Sequence, residues 1–304
     1  MINFLQGDVF DKLKELDDNS IDCVITSPPY WGLRDYGVPG QLGLETTYQE
    51  HIQNIVELFR AMKPKLKDSA TIWLNYGDSY AATVNGTKAK DIKNDDRGFV
   101  DKPFSTIQGS LKPKDLVMIP NRIAIALQDD GWWIRSEIIW HKPNPMPESV
   151  RDRPTSSHEK IWLITKSKKY YYDADAIKEK SISKGSVHVH KPGNKADEYV
   201  KQGLKTHPAK TYITPEKKNK RNVWTITTKP CKDAHFATFP KDLIEPCIKA
   251  GCPEGGIVLD PFGGAGTTGI VAQSLNRTAI LIELNPEYIE IAKKRIDKEL
   301  GMFK

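Results

Sequence analysis

The stretch G-I-V-L-D-P-F-G-G-A-G-T-T-G-I-V-A, residues 256–272, carries an apolar run into a glycine turn and then into a run of small helix-forming residues. A short apolar run that ends on glycines reads as a buried strand, and a strand apolar on both faces is covered on both faces. Helices should therefore pack above and below a mainly parallel sheet, which is an α/β architecture. Gly264, Gly266 and Gly269 satisfy G-x-G-x-x-G, and Glu283 closes the next apolar run about 20 residues on, the spacing of a ribose-binding carboxylate.

The pattern repeats outward along the chain. Seven runs rich in Val, Ile, Leu, Trp and Thr read as strands: 3–8, 22–27, 70–75, 135–140, 160–165, 257–260 and 278–283. Helices are expected between them. The clearest is 48–62, where Ile52, Ile55, Val56, Phe59 and Met62 recur at three- and four-residue steps. Another starts after Asn285, a good N-cap, with Pro286 at the first helical position. Weaker patterns place helices at 115–128 and 241–250, and the polar segment 81–113 reads as a long surface loop.

The chain has 304 residues, 38% of them hydrophobic and 28% charged, ordinary values for a folded, water-soluble protein. No basic start with an apolar core opens it and no long uncharged apolar run follows, so a cytoplasmic location with no membrane partner is expected. Cys23, Cys231, Cys247 and Cys252 form no repeated C-x-x-C pattern, which indicates buried thiols and no metal site. Residues 178–221 hold eleven lysines and Arg221 against Glu179, Asp197, Glu198 and Glu216, so this one segment is more basic than the whole chain at +6. Tyr199, Tyr212, Trp224, His188, His190 and His207 interleave with that charge. Cations beside rings suit a nucleic acid, and a solvated, inert insertion is the alternative.

The glycine turn alone suits a nicotinamide or flavin dinucleotide as well as S-adenosylmethionine, and glycines also serve tight strand-to-helix turns. No G-K-[ST] follows, which disfavours a triphosphate loop. The choice comes from Thr26-Ser27-Pro28-Pro29-Tyr30. There a strand delivers Ser27 to the end of the sheet where open α/β folds take their ligands. Pro28 and Pro29 fix φ near about −65° and remove two N–H donors, leaving a stiff corner that offers acceptors. An exocyclic amine on a planar base is a poor nucleophile, because its lone pair is delocalised into the ring. The Ser27 hydroxyl and the Pro28 carbonyl can hold its two hydrogens and draw it toward tetrahedral geometry, with Tyr30 as a stacking face. Opposite a sulfonium methyl, such an amine needs proximity and orientation, with no covalent enzyme intermediate.

Ser27-Pro28-Pro29-Tyr30 resembles the S/D/N-P-P-Y/F/W motif of DNA amino-methyltransferases, and the run from Asp260 to Thr268, D-P-F-G-G-A-G-T-T, resembles their F-x-G-x-G S-adenosylmethionine motif. The order, catalytic motif first, is that of the β class, whose seven-stranded Rossmann-like sheet is circularly permuted. The resemblance implies that Ser27, Pro28, Pro29 and Tyr30 are catalytic. It implies cofactor contacts from Asp8, from Phe236, Thr238 and Phe239 in the segment 235–240, from Asp260, Phe262, Gly264, Gly266, Thr267 and Thr268, and from Glu283. Residues 136–147 resemble the lining of the target-base pocket. Two parts of the catalytic core, 1–177 and 226–304, would then flank a target-recognition insert at 178–225.

The same likeness implies double-stranded DNA as substrate and a base flipped out of the stack. It leaves open a homodimer and a cognate nuclease of a restriction-modification system. Ser at the first motif position is typical of the members that methylate cytosine N4, and adenine N6 is the alternative. Other readings stand beside it: a dinucleotide oxidoreductase on the same glycine turn, or a DNA-binding protein without turnover. Asp8 and Glu283 could also serve as helix caps, and His141 and His158 read as structural. Pro230-Cys231 matches the dipeptide of cytosine-C5 enzymes only by coincidence, since no activating partner is visible.

Overall fold

The structure, a computed structural model, describes residues 1–83, 100–190, 210–228 and 239–301. Its strands in chain order are β1 (Ile2–Gln6), β2 (Ile21–Thr26), β3 (Arg34–Asp35), β4 (Leu66–Tyr76), β5 (Val100–Asp101), β6 (Trp133–His141) and β7 (His158–Thr165). They continue with β8 (Glu179–Lys180), β9 (Val187–His190), β10 (Lys210–Ile213), β11 (Lys217–Lys218), β12 (Val223–Thr225), β13 (Ile257–Asp260) and β14 (Thr278–Glu283). The helices are α1 (Val9–Lys14), α2 (Tyr48–Met62), α3 (Ile119–Asp129), α4 (Lys241–Gly251), α5 (Thr267–Ser274) and α6 (Pro286–Leu300). By contacts the chain divides into two units, one of Met1–Asp173 with Asn222–Lys304 and one of Ala174–Arg221.

The first unit is built on a sheet of order β1-β14-β13-β2-β4-β7-β6-β12. All neighbours run parallel except around β7, which is antiparallel to both β4 and β6. Every residue of β2 is buried, as the continuous apolar run demands of a central strand. Val9, Leu13, Ile55, Phe59, Met62, Ile123 and Leu127 from α1, α2 and α3 pack with Ile72 and Leu74 in one core. On the opposite face the end of α4 meets β4, where Thr71 Oγ1 donates to Gly251 O at 3.0 Å. Helices thus cover both faces, as the apolar strands require.

Seven strands were expected in the sheet and eight are present. The eighth, β12, pairs in parallel with β6 at the edge. Its Trp224 is 5% exposed and lies 6.4 Å from Trp73, so it belongs to this core and not with the aromatic residues of the basic insert. The segment 81–113 is likewise no free loop over the part described. β5 pairs with β3, Ala81, Thr106 and Leu111 are buried, and the Phe104 ring sits edge-on to Trp31 at 5.8 Å. The rest of that segment, 84–99, lies outside the described residues.

Helix boundaries follow local chemistry. The α2 entry is a capping box, in which Thr47 Oγ1 accepts from Glu50 N at 3.2 Å and Glu50 Oε2 accepts from Thr47 N at 3.0 Å. Asn285 caps α6 through Glu287 N at 2.9 Å. The third helix starts at Ile119 and not at Asp115, because Met118 adopts a left-handed φ of 66° and Leu116 bridges to Tyr80. Cys23, Cys247 and Cys252 are buried free thiols, and burial pushes the Cys252 thiol up to about 12.

The second unit pairs β8 with β11 and β9 with β10, both antiparallel. Glu179 draws Arg221 to 2.7 Å and Lys218 to 3.4 Å. Lys180 stands opposite Lys217 across the first pair, and Ile182, Tyr212 and Ile213 are exposed. Of the aromatic residues expected here, Tyr199 and His207 lie outside the described residues. Among the described residues no helix is long and apolar enough to cross a membrane.

Candidate active site

Four neighbouring strands, β1, β14, β13 and β2, end at one edge of the sheet, and each tip carries residues singled out in the sequence. At the tip of β1, Gly7 N donates to Glu283 O at 3.0 Å. Asp8 then caps α1, its Oδ1 accepting from Phe10 N at 2.8 Å and Asp11 N at 3.4 Å. Of the two roles expected for Asp8 the structure shows the helix cap, and its Oδ2 makes no hydrogen bond among the described residues.

Glu283 ends β14 in a largely enclosed position. Its Oε2 accepts from Gly264 N at 2.9 Å and its Oε1 from Asn285 N at 2.8 Å. Burial raises this carboxyl above its ordinary value, and those amide donors oppose the rise. Two acceptor sites per oxygen leave room for further donors. Tyr36 and Tyr288 meet edge to face at 6.3 Å nearby, and burial and the Glu283 charge lift both phenols, Tyr288 to about 12 with Tyr36 adding to its rise.

The glycine turn follows β13. Gly264 and Gly266 take φ of 47° and 74°, a region that a side chain disfavours. A Cβ on Gly266 would also meet Ala292 Cβ at 3.1 Å, and one on Gly269 would meet Leu281 at 3.0 Å, so these two glycines let the turn and α5 press against their neighbours. Asp260 is 1% exposed and holds the turn from inside, accepting from Phe262 N at 3.1 Å and Thr268 Oγ1 at 2.6 Å. Burial pushes its carboxyl up to about 7. Thr267 Oγ1 accepts from Arg295 at 2.7 Å. Asp260, Thr267 and Thr268 therefore shape the turn, while Gly264 and Glu283 border the space above it. Phe262 and Phe239 are half-buried; Phe236, Thr238 and Cys231 lie outside the described residues.

On the next strand, β2 delivers the proline corner. The registers Cys23 with Val258 and Val24 with Leu259 bring the corner and the glycine turn to the same edge on adjacent parallel strands. Ser27 Oγ donates to the Tyr30 hydroxyl at 3.2 Å, and Tyr30 donates to Glu159 Oε2 at 3.0 Å. The Tyr30 ring stacks on Tyr76 with centroids 4.4 Å apart. Tyr76 is fixed in turn, accepting from Trp31 N at 2.9 Å and meeting His51 Nε2 at 2.8 Å, while His51 Nδ1 meets Glu45 Oε2 at 2.9 Å. One face of Tyr30 is thus occupied by the Tyr76 ring.

Glu159, Tyr76 and Gly77 were not singled out in the sequence, and Asn75 and Lys142 entered only as members of the expected strand 70–75 and of the base-pocket stretch 136–147. Glu159 reaches the corner because β7 runs backwards, so its first residues meet the last residues of β4, Tyr76 opposite Lys160. Asn75 Nδ2 donates to Glu159 Oε2 at 3.1 Å, and Lys142 pairs with the other oxygen. The readable signals were Asn75-Tyr76-Gly77 closing a buried apolar strand and His158-Glu159-Lys160 opening another.

The fold has counterparts among solved structures. The chain superposes on the PvuII DNA methyltransferase (cytosine-N4-specific) with a TM-score of 0.64 at 18% identity, covering 99% of this chain and 91% of that one. It superposes on a putative DNA modification methylase from Thermus thermophilus, solved with S-adenosyl-L-methionine, with a TM-score of 0.60 at 21% identity, covering 99% and 96%. The fold is therefore that of the S-adenosylmethionine-dependent methyltransferases. Residues 21–294 match the DNA methylase family model of N6 and N4 enzymes, and the chain belongs to that family of DNA methyltransferases. Among curated relatives, the Type II methyltransferase M.SmaI of Serratia marcescens is 48% identical over 290 residues, 95% of this chain and 89% of that protein. The Type II methyltransferase M.Cfr9I of Citrobacter freundii is 45% identical over 294 residues, 97% and 87%.

Proposed function

We propose that this enzyme transfers a methyl group from S-adenosyl-L-methionine to the exocyclic N4 of cytosine in double-stranded DNA. The observation that carries the reading is the pairing of β2 with β13, which sets the Ser27 corner and the Gly264 turn on adjacent strand tips. Residues around the turn fit the cofactor. Glu283 keeps acceptor capacity beside Gly264, as two ribose hydroxyls need, and the bare backbone at Gly264 admits a ligand close by. When bound, the cofactor supplies an electrophilic methyl on a sulfonium.

The chain's own residues would do the rest. Ser27 Oγ donates to Tyr30, which leaves its lone pairs to accept a hydrogen from the amine. Pro28 and Pro29 hold that acceptor in place, and the face of Tyr30 opposite Tyr76 offers the flipped base a stack of about 1–3 kcal/mol. The opposed Lys180 and Lys217 support an anionic partner for the Ala174–Arg221 unit, because like charges face to face cost stability without one. That unit would be the target-recognition region of a β-class enzyme, with the proline corner ahead of the glycine turn as in the permuted order. The Type II relatives support a role within restriction-modification.

The test is to incubate the enzyme with unmethylated DNA and S-adenosylmethionine, digest the DNA to nucleosides and identify the product by mass spectrometry. N4-methylcytosine is expected. N6-methyladenine would replace the cytosine assignment with the family's other amine, and no methylated base would overturn the reading.

A further inference from the structure

The hydrogen bonds behind the corner run in one direction. Ser27 Oγ donates to the Tyr30 oxygen at 3.2 Å, and the Tyr30 hydroxyl donates to Glu159 Oε2 at 3.0 Å. The chain ends on a carboxylate that has no proton to pass further. We infer that Glu159 is the proton acceptor for methyl transfer, reached from the target amine through the hydroxyls of Ser27 and Tyr30.

The chemistry needs such an acceptor. As the amine lone pair forms the N–CH3 bond, the S–CH3 bond breaks with its electron pair going to sulfur, and the nitrogen becomes a cation that must lose a proton. That proton passes to Ser27 Oγ, the Ser27 proton to the Tyr30 oxygen, and the Tyr30 proton to Glu159 Oε2. The products are a thioether, a neutral N-methyl base and a protonated Glu159, which is 19% exposed on its side chain and can return the proton to water. Burial and the neighbouring Glu159 charge raise the Tyr30 phenol well above its ordinary value, so Tyr30 stays protonated and relays without ionising.

The surroundings are arranged around this path. Lys142 pairs with Glu159 Oε1 and Asn75 Nδ2 donates to Oε2 at 3.1 Å, which holds the carboxylate against the phenol. Gly77 permits the approach: a Cβ there would lie 2.8 Å from Tyr30 Cε2 and 3.2 Å from the Glu159 carboxyl carbon. Glu159 does not touch the base, and it acts through Tyr30.

The inference rests on the assignment of the Ser27 corner to the target amine, and the experiment separates the two. Single-turnover methylation of DNA is measured for the wild type, S27A, Y30F, E159Q and the Y30F/E159Q double variant, in H2O and in D2O, with cofactor and DNA dissociation constants alongside. E159Q and Y30F should each slow transfer by about 100-fold with affinities within about two-fold, as loss of a proton acceptor does. The double variant should be no slower than the slower single one, and the solvent isotope effect of the wild type should disappear in Y30F. Additive losses, or E159Q at the wild-type rate while S27A is inactive, would overturn the proton path and leave the corner standing. An active S27A would overturn the corner itself. Should E159Q not fold, Y30F decides, since it keeps the ring on Tyr76: a wild-type rate with an unchanged isotope effect refutes the path.

Discussion

At the scale of single residues the proposed roles divide into groups that would act on substrates and groups that shape the backbone. In the proposed reaction Ser27→Ala removes one of two acceptors for the amine and should lower the methylation rate by about 100-fold or more, with cofactor affinity unchanged by calorimetry. Glu283→Ala should do the reverse, weakening S-adenosylmethionine binding by about ten-fold or more, since the proposed acceptor of two ribose hydroxyls is lost. Asp260 makes a different prediction. Its carboxyl is raised from 3.8 to about 7 by burial, so between those values the folded protein holds a proton that the unfolded chain releases. Stability at this group is therefore present at low pH and falls as pH rises toward 7. Asp260→Asn, which cannot ionise, should flatten that part of a melting-temperature profile against pH. Ser27, Tyr30 and Glu283 could be proposed from the sequence because each belongs to a local run. Glu159 could not, because the tie that gives it meaning spans 129 residues from Tyr30 and depends on the direction of one strand.

At the scale of elements, local signals and tertiary ones divide cleanly. The α2 span and the α6 start could be read directly, because a periodic stripe and an Asn-Pro entry are contained in their segments. The added strand β12 could not, as three residues of Val-Trp-Thr become a strand only by lying beside β6. Segment 81–113 misleads for the same reason, its anchors Thr106 and Leu111 being few and spaced without period. The glycine turn is an element whose tolerance can be tested. Gly266→Ala combines a φ of 74° with a Cβ 3.1 Å from Ala292, and should lower stability by about 1–2 kcal/mol in chemical denaturation. The cofactor should weaken in parallel, because Gly264 and Glu283 are bonded across the same turn.

At the scale of the whole molecule, charge is distributed unevenly between the two units. The Ala174–Arg221 unit carries a positive surplus larger than that of the entire chain, so the remainder is slightly acidic. Replacing Lys180 and Lys217 with Gln should weaken DNA binding and reduce the slope of log affinity against log salt by about one per lost phosphate contact. An unchanged slope, measured by anisotropy across a salt series, would make these lysines a solvated surface. The sheet order also dictates how the enzyme is born. β2 lies between β4, which is synthesised soon after it, and β13, which follows more than 200 residues later. Until the ribosome releases β13, a central strand that is buried along its whole length in the folded enzyme keeps one edge bare, the kind of edge that recruits other chains. Nascent copies should therefore depend on chaperones until β13 has emerged, and the enzyme should acquire its methyl donor only after that strand has paired.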